Sequence, residues 1–222
     1  MTRVVVKLGG RVAGASAAHV RALAAGGGQV CVVHGAGPQI SEEMARAGVR
    51  VQFVDGRRVT TEAAIEIVLA SFAAVNEELC AAIGTDALGL SGDEIGLEVE
   101  PVPALGLVAE AHPSALPVLV GARAAGRIPV VAPVTRRLNV NADSAAAAIA
   151  TGIDADRLEF LTDVDGLILD GEVVDSIDPD SAEQLLRGGA LAGGIIPKLA
   201  AAVAAARSGV PAAIGRTEVP VA

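Results

Sequence analysis

Val4-Val5-Val6-Lys7-Leu8-Gly9-Gly10 opens the chain, and the rest of the molecule is laid out from it. Three β-branched residues in succession describe a strand buried on both faces, as in a parallel sheet. A lysine stands where that strand should end, and two glycines follow. Charged side chains are rarely fully buried unless paired, so Lys7 is expected to point into a site. Of the 17 basic residues only Lys7 and Lys198 are lysines; the other 15 are arginine. Lys198 also follows glycines, in Gly193-Gly194-Ile195-Ile196-Pro197-Lys198. A lysine ammonium is a compact point charge with rotatable donors, whereas arginine is a planar fork. Both positions are therefore candidates for chemistry that needs a point charge.

Outward from that strand, strands and helices alternate, the pattern of an α/β fold with a largely parallel sheet. Val4 to Lys7 leads to a helix over Ala17 to Ala25 and a second strand over Gln29 to Val33. That strand runs into His34-Gly35-Ala36-Gly37-Pro38, and Pro38 opens a helix to Ala47; proline suits a first helical turn. Glycines before a helix start expose backbone N–H groups to an anion, so Gly9-Gly10 and Gly35-Ala36-Gly37 read as two halves of one cradle. Asp55-Gly56 marks a hairpin carrying Arg57 and Arg58, one of which alternation turns toward a ligand. Thr60 or Thr61 is expected to cap a long helix whose apolar residues, Ile65 to Ile83, form one face, either core or a dimer seam. Ala87 to Leu90 reads as a short strand ending at Ser91, Ile95 to Val99 and Leu107 to His112 as a hairpin, Pro113 to Ala125 as a helix, and Ile128 to Ala132 as a strand.

The second half starts at Asn139-Val140-Asn141-Ala142-Asp143, before a helix over Ala145 to Ala150. One polar residue caps a helix; three in five residues exceed that need. A strand over Arg157 to Leu161 ends in Thr162-Asp163-Val164-Asp165-Gly166. A hairpin about Asp170-Gly171, a helix over Pro179 to Arg187, a glycine loop over 188–194, a helix from Lys198 to Arg207 and a last strand, Ala212 to Ile214, complete the reading. Without a Gly/Ser linker, the halves, 1–134 and 135–222, are expected to share one sheet, with a ligand at the carboxyl ends of its strands.

Composition narrows the function. Hydrophobic residues make up 52% of 222, enough for a sizeable core, but aromatics only 1%, so the core is aliphatic and offers no base-stacking platform. A net charge of −9 and a pI of about 4.8 exclude a nucleic-acid partner as the natural reading. Cys31 and Cys80 lie in apolar segments and read as buried thiols of a reducing, cytoplasmic compartment. No leader or membrane-length apolar run is legible. The chain has no Walker phosphate loop, Gly35-Ala36-Gly37-Pro38-Gln39-Ile40 lacks the third glycine of a dinucleotide fingerprint, and the histidines lack metal spacing with the cysteines. No nucleophile elbow is present.

Seven ordered motifs remain: Val-Val-Lys-Leu-Gly-Gly, His-Gly-Ala-Gly-Pro-Gln-Ile, Phe-Val-Asp-Gly-Arg-Arg-Val-Thr, Gly-Leu-Ser-Gly, Asn-Val-Asn-Ala-Asp, Leu-Thr-Asp-Val-Asp-Gly and Gly-Gly-Ile-Ile-Pro-Lys. Together they resemble the acetylglutamate kinases of the amino acid kinase family, over essentially the whole chain. The resemblance implies a three-layer α/β/α sandwich about a central mostly parallel sheet. It implies that the first half binds the acceptor and forms a homodimer, and that the second half binds MgATP. The reaction would carry the γ-phosphoryl group of ATP to the side-chain carboxylate of N-acetyl-L-glutamate, in arginine biosynthesis. By resemblance, Lys7 and Lys198 hold the transferring group, and Asp143 lies between them. Backbone N–H groups at Gly9, Gly10, Ala36 and Gly37 face the reacting oxygens. Arg58 clamps the acceptor α-carboxylate and Asn139 contacts the acceptor. Asp163, Val164, Asp165, Gly166, Ala190, Leu191 and Ala192 line the nucleotide pocket, with Mg2+ held mainly through phosphates.

The chain departs from that pattern in places. Ala36 replaces a glycine, Asp93-Glu94 follows Ser91-Gly92 where a basic residue is usual, and the connection from Val134 to Leu138 is short. Few residues follow Ala212 to Ile214, which would leave an unfinished sheet edge. Met1 leaves no room for the helix that builds arginine-inhibited hexamers, so a dimer without that feedback is expected. Two alternatives stay open: a kinase for a carrier-linked aminoadipate or glutamate of lysine biosynthesis, and a weakly catalytic amino-acid sensor. His34 reads as a structural donor rather than a catalyst, and Ser91 equally as a turn residue.

Overall fold

The structure, a computed structural model, describes residues 1–9, 13–162, 165–189 and 191–221. β1 (Arg3–Leu8), α1 (Ala13–Ala25), β2 (Gln29–His34) and α2 (Gly37–Arg46) lead to a hairpin of β3 (Phe53–Val54) and β4 (Arg57–Arg58). Then come α3 (Glu62–Ile83), β5 (Ala87–Ser91), α4 (Gly92–Ile95), β6 (Val99–Pro101), β7 (Val108–Ala111), α5 (Pro117–Ala124) and β8 (Ile128–Ala132). A second hairpin, β9 (Val134–Thr135) and β10 (Leu138–Val140), precedes α6 (Ala142–Gly152). β11 (Arg157–Leu161), the β12 (Ile168–Leu169) and β13 (Glu172–Val173) hairpin, α7 (Pro179–Gly188), α8 (Ile195–Arg207), β14 (Ala212–Ile214) and β15 (Thr217–Val219) end the described chain.

Among the described residues the main sheet has seven strands in the order β15-β14-β11-β1-β2-β8-β5, all parallel except β15. Strands from both halves of the chain thus lie in one sheet. Alternation divides the core into two. Val4, Val6 and Leu8 pack with Ile65, Val68 and Phe72 of α3 on one face. Val5 packs with residues of α5, α6 and α8 on the other. β1 is buried from both sides, and its run of valines follows from that. The result is the expected three-layer α/β/α sandwich. A smaller sheet, β6-β7-β10-β9, carries the residues just before α6.

Several local expectations need correction. The apolar face of α3 is core: Ile65, Val68, Phe72, Val75, Leu79 and Ile83 are buried against the sheet. Each such side chain contributes roughly 1.5–3 kcal/mol on burial, so of the two readings the face serves as core within the chain. Thr61 occupies the N-cap position of α3, but its side chain makes no capping hydrogen bond. Ile95 belongs to α4 rather than a strand, because Ser91 and Glu94 form a reciprocal capping box there. The helix expected from Pro113 begins at Pro117. The sheet edge beside β14 is occupied by β15, antiparallel, with Ala212 opposite Val219. No helix among the described residues is long and apolar enough to cross a membrane. Cys31 and Cys80 are free, Cys31 buried as expected and Cys80 only half-buried, and burial pushes the Cys31 thiol up to about 12, which disfavours its thiolate.

Candidate active site

β1 sits at the centre of the sheet with β2 on one side and β11 on the other. A crevice forms outside the carboxyl ends of strands at such a switch point. Lys7 is the penultimate residue of β1, opposite Val33 and Phe160. Alternation puts it on the same face as Val5, the face that α6 and α8 cover. Each of those helices delivers one further charged group.

α6 begins with Asn141, whose Oδ1 accepts hydrogen bonds from the N–H groups of Asp143 (2.9 Å) and Ser144 (3.1 Å). That cap aims Asp143 from the first turn, where the helix dipole favours a carboxylate. Asp143 Oδ1 lies 2.7 Å from Lys7 Nζ, and Asp143 Oδ2 lies 3.7 Å from Lys198 Nζ. Lys7 and Asp143 are each 5% exposed. Oδ1 takes no aligned hydrogen bond, so its contact with Lys7 is that of a charge pair. Lys198 stands in the first turns of α8, with Pro197 before it and its Nζ also donating to Gly194 O at 3.2 Å. Three residues distant in sequence thus meet as ammonium, carboxylate and ammonium.

Beside this group lies a cavity of about 160 Å³, lined by Lys7, Ala36, Gly37, Arg58, Asn139 and Asp143 among others. Arg58 is 7% exposed. Its Nη2 donates to Gly37 O (2.9 Å) and Ser41 Oγ (2.7 Å), and its guanidinium lies 4.7 Å over the Phe53 ring. Those partners are neutral, and among the described residues no carboxylate pairs with Arg58. A buried cation without a counter-ion is poised for an anionic ligand, and a guanidinium matches a carboxylate. Arg57 also lines the cavity but is engaged by Glu110 at 2.6 Å, so of the two arginines Arg58 is the one with no carboxylate partner among the described residues. Asn139 is held by its amide, which donates to Thr60 Oγ1 at 3.0 Å. Ser41 and Phe53 join the site without a reading of their own in the sequence, and Thr60, read there as a helix cap, instead accepts from Asn139. Phe53 and Thr60 flank the two arginines in the hairpin motif, which was the available signal.

His34 ends β2 on the opposite face, fully buried against α3. Asn76 Nδ2 donates to His34 Nε2 at 3.0 Å and to Val130 O at 2.8 Å. Nε2 is therefore the acceptor, and His34 Nδ1 carries the proton facing Gly35 O. Burial lowers the His34 pKa to about 4, with the Lys7 charge adding to the shift and the Gly35 carbonyl opposing it. His34 is a neutral structural donor at pH 7. Between pH 6.5 and about 4 the unfolded chain takes up a proton here that the folded chain refuses. Stability from this group is complete above pH 6.5 and falls by about 3 kcal/mol as pH drops through that window. Thermal midpoints measured from pH 7 to 4 should therefore fall less steeply in His34→Gln, which keeps an acceptor for Asn76 without the titration.

Ala36 and Gly37 line the cavity, and Gly9 follows the end of β1 without lining it. Ala36 adopts φ −135°, which alanine accepts, so the missing glycine costs nothing there. A Cβ at Gly37 would meet nothing within 4 Å. Ser91 caps α4 rather than entering the cavity. Of the expected nucleotide residues, Gly166 packs against Thr217 and Leu191 against the α6–α8 core, while Asp165 and Ala192 are exposed. None of the four lines the 160 Å³ cavity. Gly10, Asp163, Val164 and Ala190 lie outside the described residues.

Residues 2–216 match the model of the amino acid kinase family, and the chain belongs to that family. Within it, the acetylglutamate kinase of Rubrobacter xylanophilus is 43% identical over 224 residues, 96% of this chain and 88% of that protein. The acetylglutamate kinase of Geobacillus thermodenitrificans is 38% identical over 226 residues, 94% of this chain and 87% of that protein. A Streptococcus mutans protein of known crystal structure shares the fold with a TM-score of 0.89 at 24% identity, over 99% of both chains.

Proposed function

We propose that this protein is an ATP-dependent kinase of N-acetyl-L-glutamate, forming N-acetyl-L-glutamyl 5-phosphate for arginine biosynthesis. The observation that carries this is the Asp143 carboxylate set between two lysine ammonium groups beside a cavity holding a buried Arg58 that has no carboxylate partner among the described residues. The similarity to acetylglutamate kinases selects the acceptor.

The chemistry needs alignment and charge neutralisation more than proton transfer. The attacking carboxylate is already ionised at pH 7, so no general base is required. In this reading Arg58 grips the acceptor α-carboxylate and Asn139 a second polar group, leaving the side-chain carboxylate directed at the γ-phosphorus. Lys7 approaches from the acceptor side and Lys198 from the donor side. Their ammonium groups neutralise the equatorial oxygens as the bond to ADP lengthens and the new acyl-phosphate bond forms. Asp143 keeps both ammonium groups in register. In this reading backbone N–H groups of Gly9, Gly10, Ala36 and Gly37 serve the reacting oxygens. Residues 1–134 supply the acceptor side, and 135–222 the nucleotide side, with Asp163 to Gly166 and Ala190 to Ala192 about the nucleotide. Among the described residues no group of three or more His, Cys, Asp or Glu could hold a metal. On the same reading Mg2+ would come in with the phosphates of ATP and would supply charge neutralisation there. A homodimer is the assembly we assign.

The test is ADP release from MgATP with a panel of acceptors. Release with free N-acetyl-L-glutamate is the expected result. Preference for a carrier-linked acceptor would move the protein to lysine biosynthesis, and binding of N-acetyl-L-glutamate without ADP release would mark a sensor.

A further inference from the structure

The acidic pair Asp93-Glu94, which breaks the family's usual basic pattern, has a definite place in the fold. Glu94 completes the α4 capping box with Ser91. Asp93 reaches out of α4 to the β9–β10 hairpin instead. Its Oδ1 accepts the Thr135 hydroxyl at 2.5 Å, and its Oδ2 accepts the Arg136 backbone N–H at 2.9 Å. Gly92 allows this approach, since a Cβ there would fall 2.8 Å from Val134 O.

The hairpin so held is an unusual one. Arg136 and Arg137 both have positive φ, 47° and 61°. Two-residue turns of that kind favour Asn, Asp and Gly, because a Cβ crowds the backbone in the left-handed region. The two arginines supply no such preference, and the turn's conformation is secured from outside. Two positions on from Arg137 stands Asn139, opposite Val134 in β9 and Val108 in β7, with its amide on Thr60 and its place in the acceptor cavity. Strand register sets which face a side chain occupies, and a one-residue slip turns it to the other face. Relaxation of the turn would carry Asn139 out of the cavity.

We propose that Asp93 is a positioning residue for acceptor binding: its carboxylate holds the Arg136–Arg137 turn left-handed and thereby presents Asn139 to the acceptor. The shortened connection from Val134 to Leu138 and the acidic Asp93 are then one device, a tight turn and the clip that keeps it closed. This rests on the reading of the cavity as the acceptor site.

The experiment compares wild type, Asp93→Ala, and Asp93→Ala combined with Arg136→Gly and Arg137→Gly, all as the full chain. Steady-state kinetics with N-acetyl-L-glutamate and MgATP is paired with backbone amide exchange over residues 134–141. Asp93→Ala should raise KM for the acceptor about tenfold, the loss of one well-placed hydrogen bond, with KM for MgATP within about twofold of wild type. Exchange over 134–141 should quicken. The added glycines, which accept positive φ without penalty, should restore both readouts. An unchanged acceptor KM and unchanged exchange overturn the proposal. So does a loss that the glycines leave in place, or one that raises both KM values together. If wild type releases no ADP with this acceptor, the functional reading fails by itself. Exchange over 134–141 then still decides whether Asp93 holds the turn.

Discussion

Lys198→Arg should lower turnover about 100- to 1,000-fold, the cost of losing one preorganised donor to developing charge. The positive charge is kept, so the effect isolates geometry. The Lys198 ammonium lies 3.7 Å from Asp143 at the end of a flexible stem whose side chain is 16% exposed. A guanidinium is longer, planar and directional, and cannot present a single point charge from the same backbone position. Because the position borders solvent, the thermal midpoint should stay near that of wild type, and KM for the acceptor should move little. Turnover within about threefold of wild type would remove Lys198 from the phosphoryl-transfer step.

Asp143→Ala should damage both stability and rate, and the two effects can be separated. Lys7 is 5% exposed and its nearest carboxylate is Asp143 at 2.7 Å. Removing one partner of a buried pair leaves an uncompensated charge, at a cost of about 3–5 kcal/mol. For a chain of this size that lowers Tm by on the order of 10 °C. Turnover should fall about 1,000-fold, because the two lysines lose the group that keeps them apart. Adding Lys7→Met to Asp143→Ala removes the stranded charge and fills its volume. Stability should then recover by most of the loss while turnover does not. A double variant no more stable than Asp143→Ala would mean that the carboxylate supports the fold by other contacts.

Much of this arrangement was legible beforehand, and for physical reasons. A central parallel strand has to be apolar on both faces, so Val4-Val5-Val6 announced itself and Lys7 stood out against it. The excess of polar residues over Asn139 to Asp143 divides as one cap, Asn141, and two groups turned toward the cleft. Elements whose cause lies far off in sequence were harder to see. β15 follows a tight turn at Gly215-Arg216 and depends on pairing with β14. The β9–β10 hairpin carries no turn signal of its own: Arg136 N–H is held by Asp93, more than forty positions away, and the Arg137 side chain by Glu66 of α3. The helical reading of Ile95 was available locally: Ser91 and Glu94 stand three apart, the spacing of a capping box, and the apolar run beyond them drew the strand assignment instead.

Lys7 is buried and Lys198 half-buried around one carboxylate. The chain has no other ε-amines, since every remaining basic side chain of the lysine or arginine type is a guanidinium. Acylating reagents, reactive thioesters and reducing sugars attack amines far more readily than guanidinium groups. Amine-directed modification of this molecule, apart from its amino terminus, therefore has only these two lysines to fall upon. Lys198, the less enclosed of the pair, would take the first hit, and on the proposed function the loss of its charge would lower turnover.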